Sequence, residues 1–231
     1  MSSAIIHQHL GLGDHIDCNG MIRFIIESNE YEQVDIIAKK QYADMISYMY
    51  RDDKRIKVVS IDCSEYGEYK EVENYRISNP EKEFIRIGHE YYSDAGEGKN
   101  CWEYFYEQFN FPYEIKIDYF KVDGDKEEED RVFNKLNPDN EDFIFVHDES
   151  STGEFDLNIE TDLKIIRNNP SENIFYFLRI LKEAKEIHLI ESSFKSMVEH
   201  FPTTGELYFH DNGEHPLGKH FKDWKILQYE S

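Results

Sequence analysis

The chain has 231 residues, of which 39% are hydrophobic and 15% aromatic, and its formal net charge is −22. This composition can build the core of one large domain or two small ones, and it excludes a disordered tail. The strong negative charge argues against a nucleic-acid groove or an anionic membrane as partner. A small ligand that carries phosphate stays possible, because it needs only local hydrogen-bond donors.

The cysteines and the N-terminus bear on location. Cys18, Cys63 and Cys101 are widely spaced and form no C-x-x-C pair, which predicts a reduced, cytoplasmic protein without a disulfide framework. The first residues lack the basic start and apolar run of a signal peptide. No stretch approaches the roughly 20 apolar residues of a membrane helix, so no transmembrane segment is expected.

In chain order, the first half alternates strands with helices. Strands are predicted at SAIIHQH, QVDIIAK, RIKVVSI and EFIRIGH, and helices at residues 14–28, YADMISYMYRD and NCWEYFYEQFN. The β-α-β-α-β order predicts a parallel sheet that is covered by helices. The stretch CSEYGEYKEVENYRISNPEKE is polar and poorly periodic, and it carries no predicted element.

A break in the middle precedes a second α/β pattern. Pro112, Gly124 and the charge run from Asp123 to Asp130 indicate a linker or a helix start, which places a boundary between residues 1–119 and 120–231. Helices are then predicted at EEDRVFNKLN, SENIFYFLRILKEA and SSFKSMVEHF, and strands at DFIFVHD, TDLKIIRN, EIHLIE, GELYFHD and DWKILQY. Two Rossmann-like α/β domains in tandem are expected, with ligands beyond the carboxyl ends of the strands and often between domains.

The glycine turn HLGLGDHI follows the first predicted strand. Gly11 and Gly13 let the backbone approach a ligand closely, but Ile16 stands where a dinucleotide fingerprint has its third glycine. The second strand ends in two lysines instead of the acidic residue that holds a ribose. Nicotinamide and methyl-donor sites are therefore disfavoured. Asp14 either caps the following helix or serves as a general base at the mouth of a cleft.

The histidines of the first strand form an H-x-H pair. His7 and His9 would point to one face of a strand, which allows a metal site. The sequence shows no third or fourth ligand nearby, so no metal site is predicted.

Polar residues close two strands of the second half. Glu191 ends a strand and Ser192–Ser193 begin a helix, where free N–H groups and hydroxyls could hold a diphosphate, or where Ser192 only caps. His147 and Asp148 end another strand and precede the polar residues 149–153. Arg167 ends a neighbouring strand, where it could pair with a phosphate or lie exposed on the surface.

These segments resemble a known family. A strand, then GLGDHI, then a helix that leads into a β-α-β half resembles the N-terminus of the two-domain GT-B glycosyltransferases, in particular the heptosyltransferase-like group. FIFVHD and AKEIHLIESSFKSMVEHF are similar to the nucleotide-binding half of that family. The resemblance implies a GT-B fold with a cleft between the domains. It also implies sugar transfer from a nucleotide-diphosphate sugar to a glycan or other hydroxyl acceptor, with no metal and no further cofactor.

The resemblance also implies residue roles. Asp14 becomes the general base and Gly11, Gly13 and His15 the acceptor side. The residues that would bind the donor nucleotide are His147, Asp148, Arg167, Glu191, Ser192 and Ser193. One base and no nucleophile on the opposite face favour inversion of configuration. Two alternatives stay open: a nucleotide-dependent enzyme such as a methyltransferase, which would bind its donor at residues 11–14, and a non-catalytic module that binds nucleotide or glycan.

Overall fold

The computed structural model describes residues 2–9, 11–64, 67–89, 98–150, 153–211, 213 and 216–228. Leu10 of the glycine turn, and Ser151 and Thr152 of the predicted polar cluster, lie outside these residues. The chain forms two compact units, Met1–Asp123 and Gly124–Ser231. No helix in the described ranges has the length and apolar character that a bilayer crossing requires.

The first unit is built on a four-stranded parallel sheet in the order β3-β2-β1-β4. Its elements are β1 (Ser3–His7), α1 (Leu12–Asp17), α2 (Asn19–Ser28), β2 (Gln33–Lys39), α3 (Ala43–Met49), β3 (Ile56–Ile61), α4 (Glu68–Ile77), β4 (Glu83–Arg86), α5 (Cys101–Glu107) and α6 (Ile115–Asp118). The two central strands, β1 and β2, are nearly continuous apolar runs because helices cover both faces of such a sheet. All four strands end at one edge, which receives the loops that carry the site residues.

The prediction of one continuous helix over residues 14–28 was wrong. The structure has two helices, α1 and α2, which are separated at the buried residue Cys18. The second helix packs closely on α6, since a Cβ atom on Gly20 would lie 2.5 Å from the carbonyl oxygen of Ile115. The apolar periodicity continues across the break, and this is why the sequence pattern did not reveal it.

Helix α4 lies in the polar stretch for which no element was predicted. Its only buried residue is Val72, so the helix lacks the apolar stripe by which a surface helix is normally detected. Glu68 is its first residue, which places this carboxylate near the carboxyl end of β1.

The second unit contains a five-stranded parallel sheet in the order β11-β10-β9-β5-β8 and a two-stranded antiparallel sheet, β6–β7. Its elements are α7 (Lys126–Leu136), β5 (Phe143–His147), β6 (Glu149–Ser150), β7 (Gly153–Glu154), β8 (Lys164–Arg167), a 3-10 helix (Ile174–Phe177), α8 (Leu178–Glu183), β9 (Glu186–Leu189), α9 (Ser193–His200), β10 (Glu206–Asp211) and β11 (Trp224–Gln228). Strand β5 lies between β8 and β9, so the ends of these three strands are adjacent.

The charge run after Asp123 begins a helix. The side chain of Asp125 caps α7 by accepting a hydrogen bond from the backbone N–H of Glu128 at 3.2 Å. The following glutamates occupy the first turn, where the helix dipole favours negative charge. Of the two interpretations offered for this run, the structure therefore agrees with the helix start.

The predicted helix over residues 171–184 starts later and in a different form. Asn169 accepts hydrogen bonds from the N–H and hydroxyl of Ser171 and so closes a turn. The chain then enters the 3-10 helix, which Asn173 caps by accepting from the N–H of Phe175 at 3.0 Å. Ser171 therefore belongs to the turn, and Asn173 is the cap.

Candidate functional site

In the first unit, Asp14 lies in the first turn of α1 at the carboxyl edge of the sheet. Gly11 is the N-cap residue, with extended backbone angles and no side chain to cap the helix. The Asp14 carboxylate accepts a hydrogen bond from Trp102 Nε1 at 2.9 Å and another from the backbone N–H of Gly11. Burial raises the pKa of Asp14 because a charged carboxylate loses hydration there, although both hydrogen bonds act in the opposite direction.

Gly11 makes room for this carboxylate. A Cβ atom at position 11 would lie 2.7 Å from Asp14 Oδ2. Since Gly11 has ordinary negative φ, what this position requires is space and not a left-handed backbone. Gly13 is the second residue of α1 and partly exposed.

Trp102 holds Asp14 from helix α5, at a separation of 88 residues in sequence. A reciprocal capping box fixes the start of that helix: Glu103 N–H donates to Asn100 Oδ1 at 3.0 Å, and Asn100 N–H donates to Glu103 Oε2 at 3.1 Å. The sequence predicted the helix, but no local signal could connect its tryptophan to the glycine turn.

A buried ion pair lies one helical turn beyond Asp14. Lys116 Nζ is 2.5 Å from Asp17 Oδ1, and both side chains are almost completely buried. Lys116 Nζ also lies 5.8 Å from the centre of the Trp102 ring. This lysine keeps a positive charge near the carboxylates of α1, and sequence reasoning missed it because α6 has only four residues.

His15, assigned to the acceptor side, is completely buried. Its Nδ1 accepts a hydrogen bond from Gln8 Nε2 at 2.5 Å. Burial lowers the pKa of His15 to about 3, so the ring is neutral at physiological pH. The hydrogen bond from Gln8 links the start of α1 to the end of β1, which is a positioning contact inside the unit.

A second polar group forms around His7, the last residue of β1. His7 Nε2 lies 3.1 Å from Glu68 Oε1, and the His7 and His89 ring centres are 4.1 Å apart. The His9 ring is 4.9 Å from that of His89. Burial lowers the pKa of His89 to about 4, and the hydrogen bond from His7 lowers the pKa of Glu68. No sequence pattern marks Glu68 and His89 as neighbours of the H-x-H pair, because Glu68 begins α4 and His89 follows β4, far from β1 in the chain.

In the second unit, His147 lies at the end of β5 between the ends of β8 and β9. Its Nδ1 is 2.9 Å from Asn168 Oδ1, and its ring centre is 4.7 Å from that of Phe194 on α9. Burial lowers the pKa of His147, so the ring is neutral and donates only one hydrogen bond.

Asp148 and Arg167 form an ion pair at this edge. Arg167 Nη2 lies 3.0 Å from Asp148 Oδ2, and half of the Arg167 side chain is exposed. The two residues predicted to face the donor are thus brought together. A phosphate would have to share the guanidinium with Asp148.

Glu191, Ser192 and Ser193 lie at the end of β9 and the start of α9. Lys195 Nζ donates to Glu191 Oε2 at 2.8 Å, so that this buried lysine neutralises the glutamate. Ser192 is the N-cap residue, but its side chain makes no capping hydrogen bond, and its buried Oγ has no hydrogen-bond partner within the described structure. The hydroxyl therefore has hydrogen-bonding capacity that the fold of the described residues does not use.

Comparisons with known proteins show where this architecture occurs. No family model matches the chain, and no curated protein matches it. Among solved structures, the glycosyl transferase family 9 protein from Veillonella parvula is similar with a TM-score of 0.63 and 8% identity, over 99% of this chain and 88% of that one. E. coli ADP-heptose LPS heptosyltransferase II is similar with a TM-score of 0.60 and 9% identity, over 100% of this chain and 91% of that one.

The chain shares its fold with these glycosyltransferases. A third structure, an E. coli heptosyltransferase with ADP-2-deoxy-2-fluoro heptose, is similar with a TM-score of 0.50 and 10% identity, over 100% of this chain and 94% of that one. The parallel α/β architecture expected from the sequence is confirmed, and so is the resemblance of this fold to the heptosyltransferase-like group.

Proposed function

We propose that this protein is a glycosyltransferase that moves a sugar from a nucleotide-diphosphate sugar to a hydroxyl group of a glycan or other acceptor. The observation that carries the proposal is Asp14, a carboxylate at the carboxyl edge of the first sheet, with a raised pKa, in a fold shared with sugar transferases. A general base near neutral pH needs a pKa above that of a free aspartate, and burial shifts the pKa of Asp14 in that direction.

Asp14 is the general base of the proposed reaction. Its Oδ1 is held by Trp102 Nε1, which fixes the orientation of the carboxylate and leaves Oδ2 beside Gly11 for the acceptor. A base must hold a fixed position relative to the proton that it removes. The glycine at position 11 keeps bulk away from that oxygen.

The donor diphosphate is assigned to the second unit. The free Oγ of Ser192 and the N–H groups of the first turn of α9 are donors that suit a diphosphate. Ser193 contributes to the same turn, and Glu191, just after β9, is assigned to a ribose or sugar hydroxyl. His147, Asp148 and Arg167 lie on the adjacent strand ends, where Arg167 supplies the exposed positive charge.

The reaction is a single displacement. Asp14 accepts the proton of the acceptor hydroxyl while the acceptor oxygen forms a bond to the anomeric carbon. The bond between that carbon and the diphosphate oxygen breaks, and the electron pair leaves with the nucleoside diphosphate. Attack on the face opposite to the leaving group inverts the configuration. The N-terminus of α9 stabilises the charge that develops on the diphosphate.

Ligand binding separates this proposal from its alternatives. A thermal-shift and calorimetric panel of ADP, GDP, UDP and CDP against a methyl donor is expected to show binding of a nucleoside diphosphate that Ser192→Ala weakens. If the protein binds only the methyl donor, and substitutions at residues 11–14 abolish this binding, the methyltransferase interpretation would replace the glycosyltransferase proposal. Nucleotide binding without release of nucleoside diphosphate from any sugar donor would indicate a non-catalytic module.

The role of Asp14 is tested by Asp14→Asn, which keeps the hydrogen-bond acceptor for Trp102 and removes the base. We expect kcat to fall by about 10²–10⁴-fold, with little change in nucleotide affinity. Asp44→Asn is the matched control, because Asp44 is an exposed carboxylate in the first turn of α3. Full activity of Asp14→Asn, measured as release of nucleoside diphosphate, would remove Asp14 as the base.

A further inference from the structure

His7, Glu68 and His89 form a group whose ligand atoms converge. One nitrogen or carboxylate oxygen from each side chain lies within 4.8 Å of the others. The three residues come from separate elements: His7 ends β1, Glu68 begins α4, and His89 follows β4. Parallel strands and the α4 N-terminus thus deliver three side chains to one point at the carboxyl edge.

The hydrogen bonds around this group leave imidazole nitrogens unused. His89 Nδ1 lies 3.2 Å from the Tyr69 hydroxyl, while its Nε2 is buried without a hydrogen-bond partner in the described structure. His7 Nε2 contacts Glu68, and its Nδ1 is likewise buried and unpartnered. A metal ion that His89 binds through Nε2 would give this buried nitrogen a partner.

We propose that His7, Glu68 and His89 bind a divalent transition-metal ion, for which Zn²⁺ is the best fit. Two imidazoles and one carboxylate are a ligand set that zinc and other first-row ions prefer over Mg²⁺ or Ca²⁺. Metal–ligand bonds of about 2.0–2.2 Å separate ligand atoms by about 3–4 Å, so the group needs to contract by about 1 Å. The Tyr69 hydroxyl on His89 supplies the outer contact that usually orients a ligating imidazole.

Of the three ligands, only His7 lines the neighbouring cavity of about 400 Å³, whose walls include Tyr69, Phe84 and Arg86. Three protein ligands leave at least one coordination position open, which water or a substrate oxygen can occupy. The site would therefore be exchangeable and not a sealed structural centre.

Lys39 opposes the ion. Its Nζ lies 3.6 Å from Glu68 Oε2, and about a third of its side chain is exposed. In the metal-free protein this ammonium group neutralises the carboxylate, so a cation that binds Glu68 must compete with it. The lysine stem is flexible and exposed enough to move toward solvent.

Calorimetry of the full chain with Zn²⁺ alone tests the proposal, with Co²⁺ absorption as a second readout of the ligand set. We expect one equivalent to bind, and Glu68→Gln and His89→Gln each to weaken binding by at least about 10–100-fold. These two residues are only partly buried, so that both variants keep the fold, whereas His7 is a core position. Circular dichroism checks this.

His188→Gln is the matched control. His188 belongs to another histidine pair with a nearby glutamate, but both of its ring nitrogens are engaged, with His210 Nε2 and with Glu186 Oε2 at 3.0 Å each. We expect this variant to bind Zn²⁺ like the parent. The proposal would be overturned if Zn²⁺ did not bind, or if both ligand variants bound it like the parent. It would also be overturned if millimolar Mg²⁺ abolished binding, because this would indicate only attraction to the acidic surface.

Lys39→Met gives a prediction of opposite sign. Removing the competing ammonium group should tighten Zn²⁺ binding several-fold, whereas weaker or unchanged binding would contradict the placement of the ion on Glu68. The measurement needs no sugar donor, and Asp14→Asn should leave it unchanged. Failure of the metal proposal and failure of the glycosyltransferase proposal are therefore distinguishable.

Discussion

At the scale of single residues, Asp14 carries an energetic cost that follows from its position. Its carboxylate is partly buried behind Trp102, and the two hydrogen bonds that it accepts do not restore the lost hydration, because its pKa stays raised. In the unfolded chain the same group ionises at about pH 3.9. A carboxylate whose charged form is destabilised by burial is typical of active sites.

The stability of Asp14→Asn should therefore depend on pH. The folded state holds the Asp14 proton more tightly than the unfolded state, so this group contributes stability below about pH 3.9 that is lost as pH rises through its raised folded-state pKa. At pH 7 we expect Asp14→Asn to be more stable than the parent, with each unit of pKa shift worth about 1.4 kcal/mol. The gain should shrink as pH falls toward 4.5.

Urea unfolding of both proteins across this pH range measures the effect. Asp44→Asn, in the exposed first turn of α3, should show no such pH-dependent gain. A variant at position 14 that is less stable than the parent at pH 7 would mean that the carboxylate is a favourable cap and not a strained base.

At the scale of secondary-structure elements, two helix N-caps differ in what they do for the fold. Asp125 caps α7 through the N–H of Glu128, whereas the Ser192 side chain makes no capping bond to α9. We expect Asp125→Ala to cost about 1 kcal/mol of unfolding free energy and to leave nucleotide binding unchanged. We expect Ser192→Ala to cost almost no stability and to weaken binding of the nucleoside diphosphate.

Denaturant unfolding and calorimetry on both variants make this comparison. Asp125→Ala should lose stability and Ser192→Ala should lose nucleotide binding. The reason is that the Asp125 side chain caps its helix, whereas the Ser192 hydroxyl makes no capping bond. If Ser192→Ala lost as much stability as Asp125→Ala, the serine would be an ordinary cap, and the assignment of the diphosphate to α9 would lose its main support.

The elements also show which sequence signals are reliable. Strand β2 was predicted at its observed bounds because a buried parallel strand is a short apolar run with polar ends. Helix α4 was missed because it buries only Val72. The break at Cys18 was missed because the apolar residues continue across it, from Ile16 in α1 to Met21 and Ile22 in α2.

At the scale of the whole molecule, the sequence indicated the fold and one side of the site. The carboxyl edge of each sheet follows from the order of strands, so Asp14, His147 and Ser192 could be placed at strand ends before the structure was known. The residues that contact these side chains could not be predicted. Trp102, for example, binds Asp14 although the two are 88 residues apart in the sequence. Contacts of this length depend on packing and have no local pattern in the sequence.

The net charge of −22 should make stability sensitive to salt. Self-repulsion of the acidic groups disfavours the compact state, and salt screens it. We expect Tm at pH 7 to rise by about 2–4 °C between low and moderate NaCl, equivalent to about 1 kcal/mol for a chain of this size. Differential scanning calorimetry measures this rise.

The same measurement near the isoelectric pH serves as control. The salt effect should vanish there, because positive and negative charges then balance. A fall in Tm with salt at pH 7 would mean that the many ion pairs of the surface, such as the one between Arg131 and Glu172, outweigh the repulsion.

The unpartnered hydroxyl of Ser192 has a consequence for evolution. If only folding acted on this position, alanine would be an acceptable replacement, and relatives of the protein would exchange the two residues freely by drift. A serine that persists here among diverged relatives would then record selection for a ligand. A serine kept at position 192 would thus indicate that relatives share the activity and not only the fold. Asp125 cannot give this information, because the fold itself needs its side chain as a helix cap.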